Sequence, residues 1–164
     1  MKKYKIGMYG GNFMPMHIGH YHCLSIAAQE CETVYFILFF NGKEEKKILK
    51  NRPNDYDLTL DARIRQLYRV GGYFKNVIPV VIDISECYFE DGTKNWDAET
   101  PLVLRTTGGS FEAIYGTNMN YTDYFKHAYP FAEYRVLDPD RKYICISSEE
   151  LREMNVEQRK EWMV

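Results

Sequence analysis

With 164 residues, 45% of them hydrophobic and 27% charged, the chain is long enough to bury a core of its own and needs no disulfide or metal staple. Its formal net charge of −2 excludes a general attraction for nucleic acid or anionic lipid, so any phosphate binding has to be local. Four scattered cysteines (Cys23, Cys31, Cys87, Cys145), with no CxxC pair and no histidines at zinc spacing, read as mostly buried thiols. The longest apolar run, Val34 to Phe40, is too short to span a bilayer, and the basic start leads into no apolar stretch of signal-peptide length. A single domain over 1–164 in the cytoplasm is therefore the expectation.

In chain order, Lys5 to Gly10 reads as a short strand ending in glycines. Tyr21, Leu24, Ala28 and Cys31 then recur at helical spacing, an apolar stripe for a helix lying on a sheet. Thr33 to Phe40 is a β-branched and aromatic run of the kind buried on both faces. Together these make a βαβ unit with parallel strands and a right-handed crossover. Asn41 to Asp57, polar, Lys-rich and carrying Pro53, is expected to be a mobile surface loop before a helix over Leu60 to Tyr68. Strands are expected at Val77 to Ile84, Ala113 to Tyr115 and Tyr134 to Leu137, with helices near Trp96 to Arg105 and Thr122 to Tyr129. The alternation implies an α/β domain with a five-stranded parallel sheet, whose ligands bind beyond the carboxyl ends of the strands.

Two segments carry chemistry. The first is Gly10-Gly11-Asn12-Phe13-Met14-Pro15-Met16-His17-Ile18-Gly19-His20. Paired glycines allow a sharp turn with exposed N–H groups, Pro15 stiffens the approach, and a helix opens near His17. An anion there meets unpaired donors and the positive helix end. His17 and His20, three apart, project from one side of the first turn, with Gly19 leaving the surface between them open. Such a pair can donate to triphosphate oxygens and stabilise charge developing in phosphoryl-type transfer. His22 and His127 read as cap or surface residues.

The second is Ile146-Ser147-Ser148-Glu149-Glu150-Leu151-Arg152, ahead of a helical stretch toward Trp162. Ser147, Ser148 and the backbone N–H groups at a helix start suit a phosphate, and Arg152 one turn on can reach across it. An ordinary N-cap at Ser148 is the plain alternative.

The two segments resemble the GxFxPxHxGH and ISSTxxR signatures of the nucleotidylyltransferase superfamily, which implies a Rossmann-like sheet with helices on both faces. The resemblance makes His17, His20 and Arg152 the catalytic residues and assigns Gly10, Gly11, Asn12, Phe13, Gly19, Ser147 and Ser148 to ATP. Glu149 stands where threonine is usual and brings a carboxylate near the phosphates. Leu137-Asp138-Pro139-Asp140-Arg141 resembles the V-D-P-x-R stretch of the NadR-type nicotinamide mononucleotide (NMN) adenylyltransferase domain, adding Arg141 to the ATP set. Asn95-Trp96-Asp97 resembles a Trp segment beside the nicotinamide there, and Asp61-Ala62-Arg63, Ile114-Tyr115-Gly116 and Glu161-Trp162 extend the likeness along the chain. Asn12 replaces a lysine common in that branch.

The resemblance thus implies transfer of AMP from ATP to NMN, with Asn95 and Trp96 on the acceptor. Mg²⁺ would be carried by ATP oxygens, since no carboxylate cage is visible. The alternatives are an adenylyltransferase for phosphopantetheine or another phosphorylated acceptor, and a nucleotide sensor without turnover, which Glu149 would favour. No Walker-type loop is present, so no kinase activity is expected of this chain. Small molecules are the expected partners, neither nucleic acid nor membrane, with self-association left open.

Overall fold

The computed structural model describes all of residues 1–164. Strands β1 (Tyr4–Gly11), β2 (Cys31–Phe40), β3 (Val77–Asp83), β4 (Ala113–Gly116) and β5 (Glu133–Val136) form one wholly parallel sheet in the order β3-β2-β1-β4-β5. All five expected strands are present, shifted at their ends by one or two residues. The chain builds outward from β1 through β2 to β3, then crosses to the other side of β1 for β4 and β5. The crevice between the carboxyl ends of β1 and β4 is therefore the switch point of the sheet, where ligands of open α/β sheets bind.

Helices α1 (Ile18–Glu30) and α3 (Leu60–Gly71) cover one face of the sheet, and α4 (Trp96–Thr107) and α5 (Thr122–Ala128) the other. The strands alternate accordingly. Tyr9, Phe36, Leu38 and Tyr115 pack with Leu24, Ala27, Leu67 and Val70, while Met8, Ile37 and Ile114 pack with Val103, Ala128 and Tyr129. Fixing β1 and β2 from both sides is what holds the end of β1 rigid beneath the first motif.

Three local expectations are corrected. The buried stripe of α1 is Cys23, Leu24, Ala27 and Ala28, while Tyr21 is exposed and Cys31 already belongs to β2. Cys31 suits strand as well as helix because its thiol packs beside the Tyr115 hydroxyl at 3.4 Å. Residues 41–57 are no plain loop. Asn41 caps a helix, α2 (Gly42–Leu49), by accepting from the Glu44 N–H, and its acidic first turn and basic last turn match the helix dipole. A 3-10 turn, Tyr56–Leu58, follows. The stretch toward Trp162 is broken into α6 (Ser148–Glu153), α7 (Val156–Arg159) and a 3-10 turn, because Asn155 starts a new helix with its own capping box. Three cysteines are buried as expected, but Cys145 is exposed. No helix is long and apolar enough to cross a membrane.

Candidate active site

The first motif does its turning at Phe13, not at the glycines. Gly10 and Gly11 are still strand residues, paired with Ile37 and Leu38, and neither has a positive φ. Their need for glycine is close packing: a Cβ on Gly10 would lie 2.4 Å from the Phe39 ring. Phe13 takes the left-handed conformation at φ 50° and buries its ring edge-on to His20, with centroids 4.9 Å apart. Asp138 (φ 44°) and Arg141 (φ 52°) are the other two non-glycine residues of this kind, so all three such backbones belong to the site segments.

His17 and His20 form a capping box at the start of α1 and lie together, ring centroids 3.9 Å apart, as their spacing predicts. His17 Nδ1 accepts from the Gly19 N–H and His20 Nδ1 from the His17 N–H, each at 3.0 Å. A backbone N–H can only donate, so each Nδ1 is unprotonated and each neutral ring carries its hydrogen on Nε2. Burial, reinforced by the Arg141 guanidinium, pushes His17 down to about 4. Burial and the neighbouring His17 push His20 down as well. At neutral pH the site therefore presents two uncharged Nε2–H donors. Gly19 fits against the His17 ring, where a Cβ would come within 2.7 Å.

The second motif is stitched onto the first. Ser147, one residue earlier than expected, is the cap of α6: its hydroxyl oxygen accepts from the Glu150 N–H at 3.1 Å. Ser148 donates to the Pro15 carbonyl at 2.9 Å, and Arg152 Nη1 to the Met14 carbonyl at 2.8 Å. Burial lowers the Arg152 pKa from its usual value. Arg141 sits on a loop organised by Asp138, whose carboxylate accepts from the N–H groups of Lys142, Tyr143 and Ile144. Burial opposes the Asp138 charge, but these bonds outweigh it and hold the carboxyl below its usual range.

Around these residues lie two adjoining cavities. The smaller, about 290 Å³, is lined by His17, Gly19, Arg141, Ser147, Ser148 and Arg152, with Glu149 also on its wall. The larger, about 700 Å³, is lined by Gly10, Gly11, Phe13 and Trp96 among many aromatic side chains. Tyr9, Asn12, His20 and Thr117 line both and mark the junction. Sequence reasoning missed Tyr9 and Thr117 there, although each ends or follows a strand at the switch crevice. It also missed the loop role of Asp138, which a turn-forming Asp-Pro could have signalled.

The acceptor expectations fare unevenly. Asn95 lines neither cavity; it caps α4 by accepting from the Ala98 N–H at 3.3 Å, so its amide oxygen is engaged in folding. Trp96 does line the larger cavity, but its indole already stacks on Tyr124 with centroids 5.4 Å apart and carries the Lys94 ammonium 4.2 Å from its centroid. His22 lines the smaller cavity rather than standing apart from it, while His127 is an exposed partner of Asp97. No group of three or more His, Cys, Asp or Glu side chains converges to hold a metal ion.

No family model matches the chain. It is 23% identical over 93% of its length to the trifunctional NAD biosynthesis/regulator protein NadR of Escherichia coli (strain K12), of which it spans 37%. Its fold is similar to a crystal structure of NadR protein in complex with NR, at a TM-score of 0.70 and 20% identity, over 99% of this chain and 43% of that one. It is also similar to a bifunctional NMN adenylyltransferase/ADP ribose pyrophosphatase from Francisella tularensis complexed with AMP and a manganese ion. There the TM-score is 0.61 at 18% identity, over 98% of this chain and 44% of that one. Along nearly its whole length the chain is thus similar in sequence to NadR, and its five-stranded parallel sheet is the α/β fold of these adenylyltransferase structures.

Proposed function

We propose that the chain transfers AMP from Mg²⁺-bound ATP to nicotinamide mononucleotide, giving NAD and pyrophosphate. The observation that carries this reading is the His17/His20 pair at the meeting of a smaller cavity that holds two arginines and a larger aromatic one. The smaller cavity suits the triphosphate through Arg141 and Arg152, which supply positive charge against Asp138 and Glu149 on the same wall, and through the Nε2–H donors of His17 and His20.

In the reaction an oxygen of the acceptor phosphate attacks the α-phosphorus, the bond from that phosphorus to the bridging β-oxygen breaks, and pyrophosphate leaves with the metal. A phosphate oxygen is already ionised at neutral pH, so no general base is required. This matches two histidines whose burial keeps them neutral and whose Nδ1 atoms are occupied. Their task is to bind and to offset charge growing on the transferring phosphoryl group. On the acceptor side, Glu45 is paired with Arg63 and Glu99 with Lys94, which leaves Glu44 to give the larger cavity a small negative bias that suits a cationic ring.

The test is pyrophosphate release from ATP with NMN, run beside phosphopantetheine as the competing acceptor. Turnover with NMN supports the reading. Turnover with phosphopantetheine alone would replace the acceptor, and ATP binding without turnover on either would favour a sensor.

A further inference from the structure

Glu99 is the buried carboxylate of the larger cavity that folding leaves only half answered. It sits on α4 at 1% exposure; its Oε2 meets the Lys94 ammonium at 2.9 Å, while its buried Oε1 has no hydrogen-bond partner. Glu45, on the same cavity wall, is already ion-paired with the buried Arg63. A buried carboxylate oxygen without a donor costs stability and persists where a ligand supplies the missing one. Lys94 is the only lysine or arginine lining this cavity, and it lies over the Trp96 ring and near Phe39. A carboxylate, an ammonium and an aromatic wall therefore converge in one corner.

We propose that Glu99 and Lys94 form the subsite that reads the ring substituent of the acceptor, accepting a carboxamide and rejecting a carboxylate. A carboxamide complements the pair atom for atom: its NH₂ donates to Glu99 while its carbonyl oxygen accepts from Lys94. A carboxylate could still take the Lys94 hydrogen bond but has no donor for Glu99, and its charge would face that of Glu99 across a buried corner. A site built around a ligand N–H discriminates strongly against the analogue lacking it. The proposal rests on the pyridine mononucleotide reading above and adds to it the residues that choose between the amide and acid forms.

The experiment compares kcat/KM for nicotinamide mononucleotide and nicotinate mononucleotide in the parent, Glu99→Gln and Lys94→Gln, with ATP constants measured in parallel. The parent should favour the amide by about tenfold or more, the scale of one hydrogen bond to a charged group. Glu99→Gln, whose amide can donate to a carboxylate, should bring the ratio toward unity through the acceptor KM while leaving the KM for ATP unchanged. Lys94→Gln removes the cation that the acid form needs and should shift the ratio the opposite way. Should Glu99→Gln fail to fold, the partly exposed Lys94 position carries the test alone, since a merely structural role would reduce both substrates equally. A parent that turns over both nucleotides with a ratio insensitive to these changes overturns the subsite and leaves the acceptor reading standing. A parent that turns over neither overturns both.

Discussion

At the scale of single residues, the two histidines separate folding from chemistry by ring atom. Nδ1 of each accepts a backbone N–H at the start of α1, which leaves Nε2 for the phosphate contact proposed above. Replacing His20 by alanine should lower kcat by about 10²-fold, the scale of losing one preorganised donor. It also removes the His20 half of the capping box, so the melting temperature should fall by the few degrees expected of a lost cap. Unchanged kcat would end the catalytic assignment. His17 allows a test by pH. The unfolded chain takes up its proton near 6.5 and the folded chain only near 4, so the unfolded state binds more protons between those values. Stability is therefore full above 6.5 and declines as pH falls toward 4, by up to about 3 kcal/mol for this group. His17→Asn, which can still cap the helix but does not titrate, should lose less stability than the parent between neutral pH and pH 5 in denaturant titrations. Parallel loss in the two proteins would show that His17 is not the group responsible.

At the scale of elements, α2 and α3 pin the first motif from beneath. Arg63, fully buried on α3, donates from Nη1 to the Asn12 carbonyl at 2.7 Å and from Nε to Leu58 at 3.0 Å, and is ion-paired with Glu45 on α2. Burial lowers its pKa to about 10. Removing one member of such a pair leaves the other charge uncompensated. Arg63→Met should therefore cost about 3 to 5 kcal/mol in denaturant midpoint, and the double change with Glu45→Leu should recover a large part of it. The Asn12 carbonyl stays unpinned in both, so the KM for ATP should remain raised even where stability returns. Full recovery of both would assign Arg63 to folding alone.

At the scale of the whole molecule, the site exists only because the sheet reverses direction beside β1 and brings segments from both ends of the chain to one crevice. Arg152 and Ser148 reach back to the carbonyls of Met14 and Pro15, closing the smaller cavity beside the histidines. Since no cluster of carboxylates or imidazoles converges on a metal, Mg²⁺ is expected to enter as part of the nucleotide. Chelator in excess should abolish turnover without lowering the melting temperature of the free protein, and added Mg²⁺ should restore it. A fall in melting temperature on chelation would instead reveal a resident ion.

The sequence by itself determined the strands, the order of alternation and the two segments that meet at the crevice, because these rest on local periodicity and on residue types at short, fixed offsets. His17 and His20 are neighbours at helical spacing, and no other part of the fold is needed to bring them together. Where local pattern and long-range packing compete, only the tertiary structure decided. Gly10 and Gly11 looked like a turn, but Gly10 is glycine because Phe39 on β2 leaves no room for a Cβ, and a Cβ on Gly11 would press on the Phe13 ring. Residues 41–57 looked like a loop because polarity conceals a helix whose one buried side chain, Glu45, meets its partner Arg63 eighteen residues on. Asn95 looked like a ligand residue and is a helix cap, while Glu99, unremarked in the sequence, emerges as a half-answered carboxylate in a cavity wall. The unmet hydrogen-bonding demand of a side chain depends on every group that folding places around it, and that sum cannot be read one residue at a time.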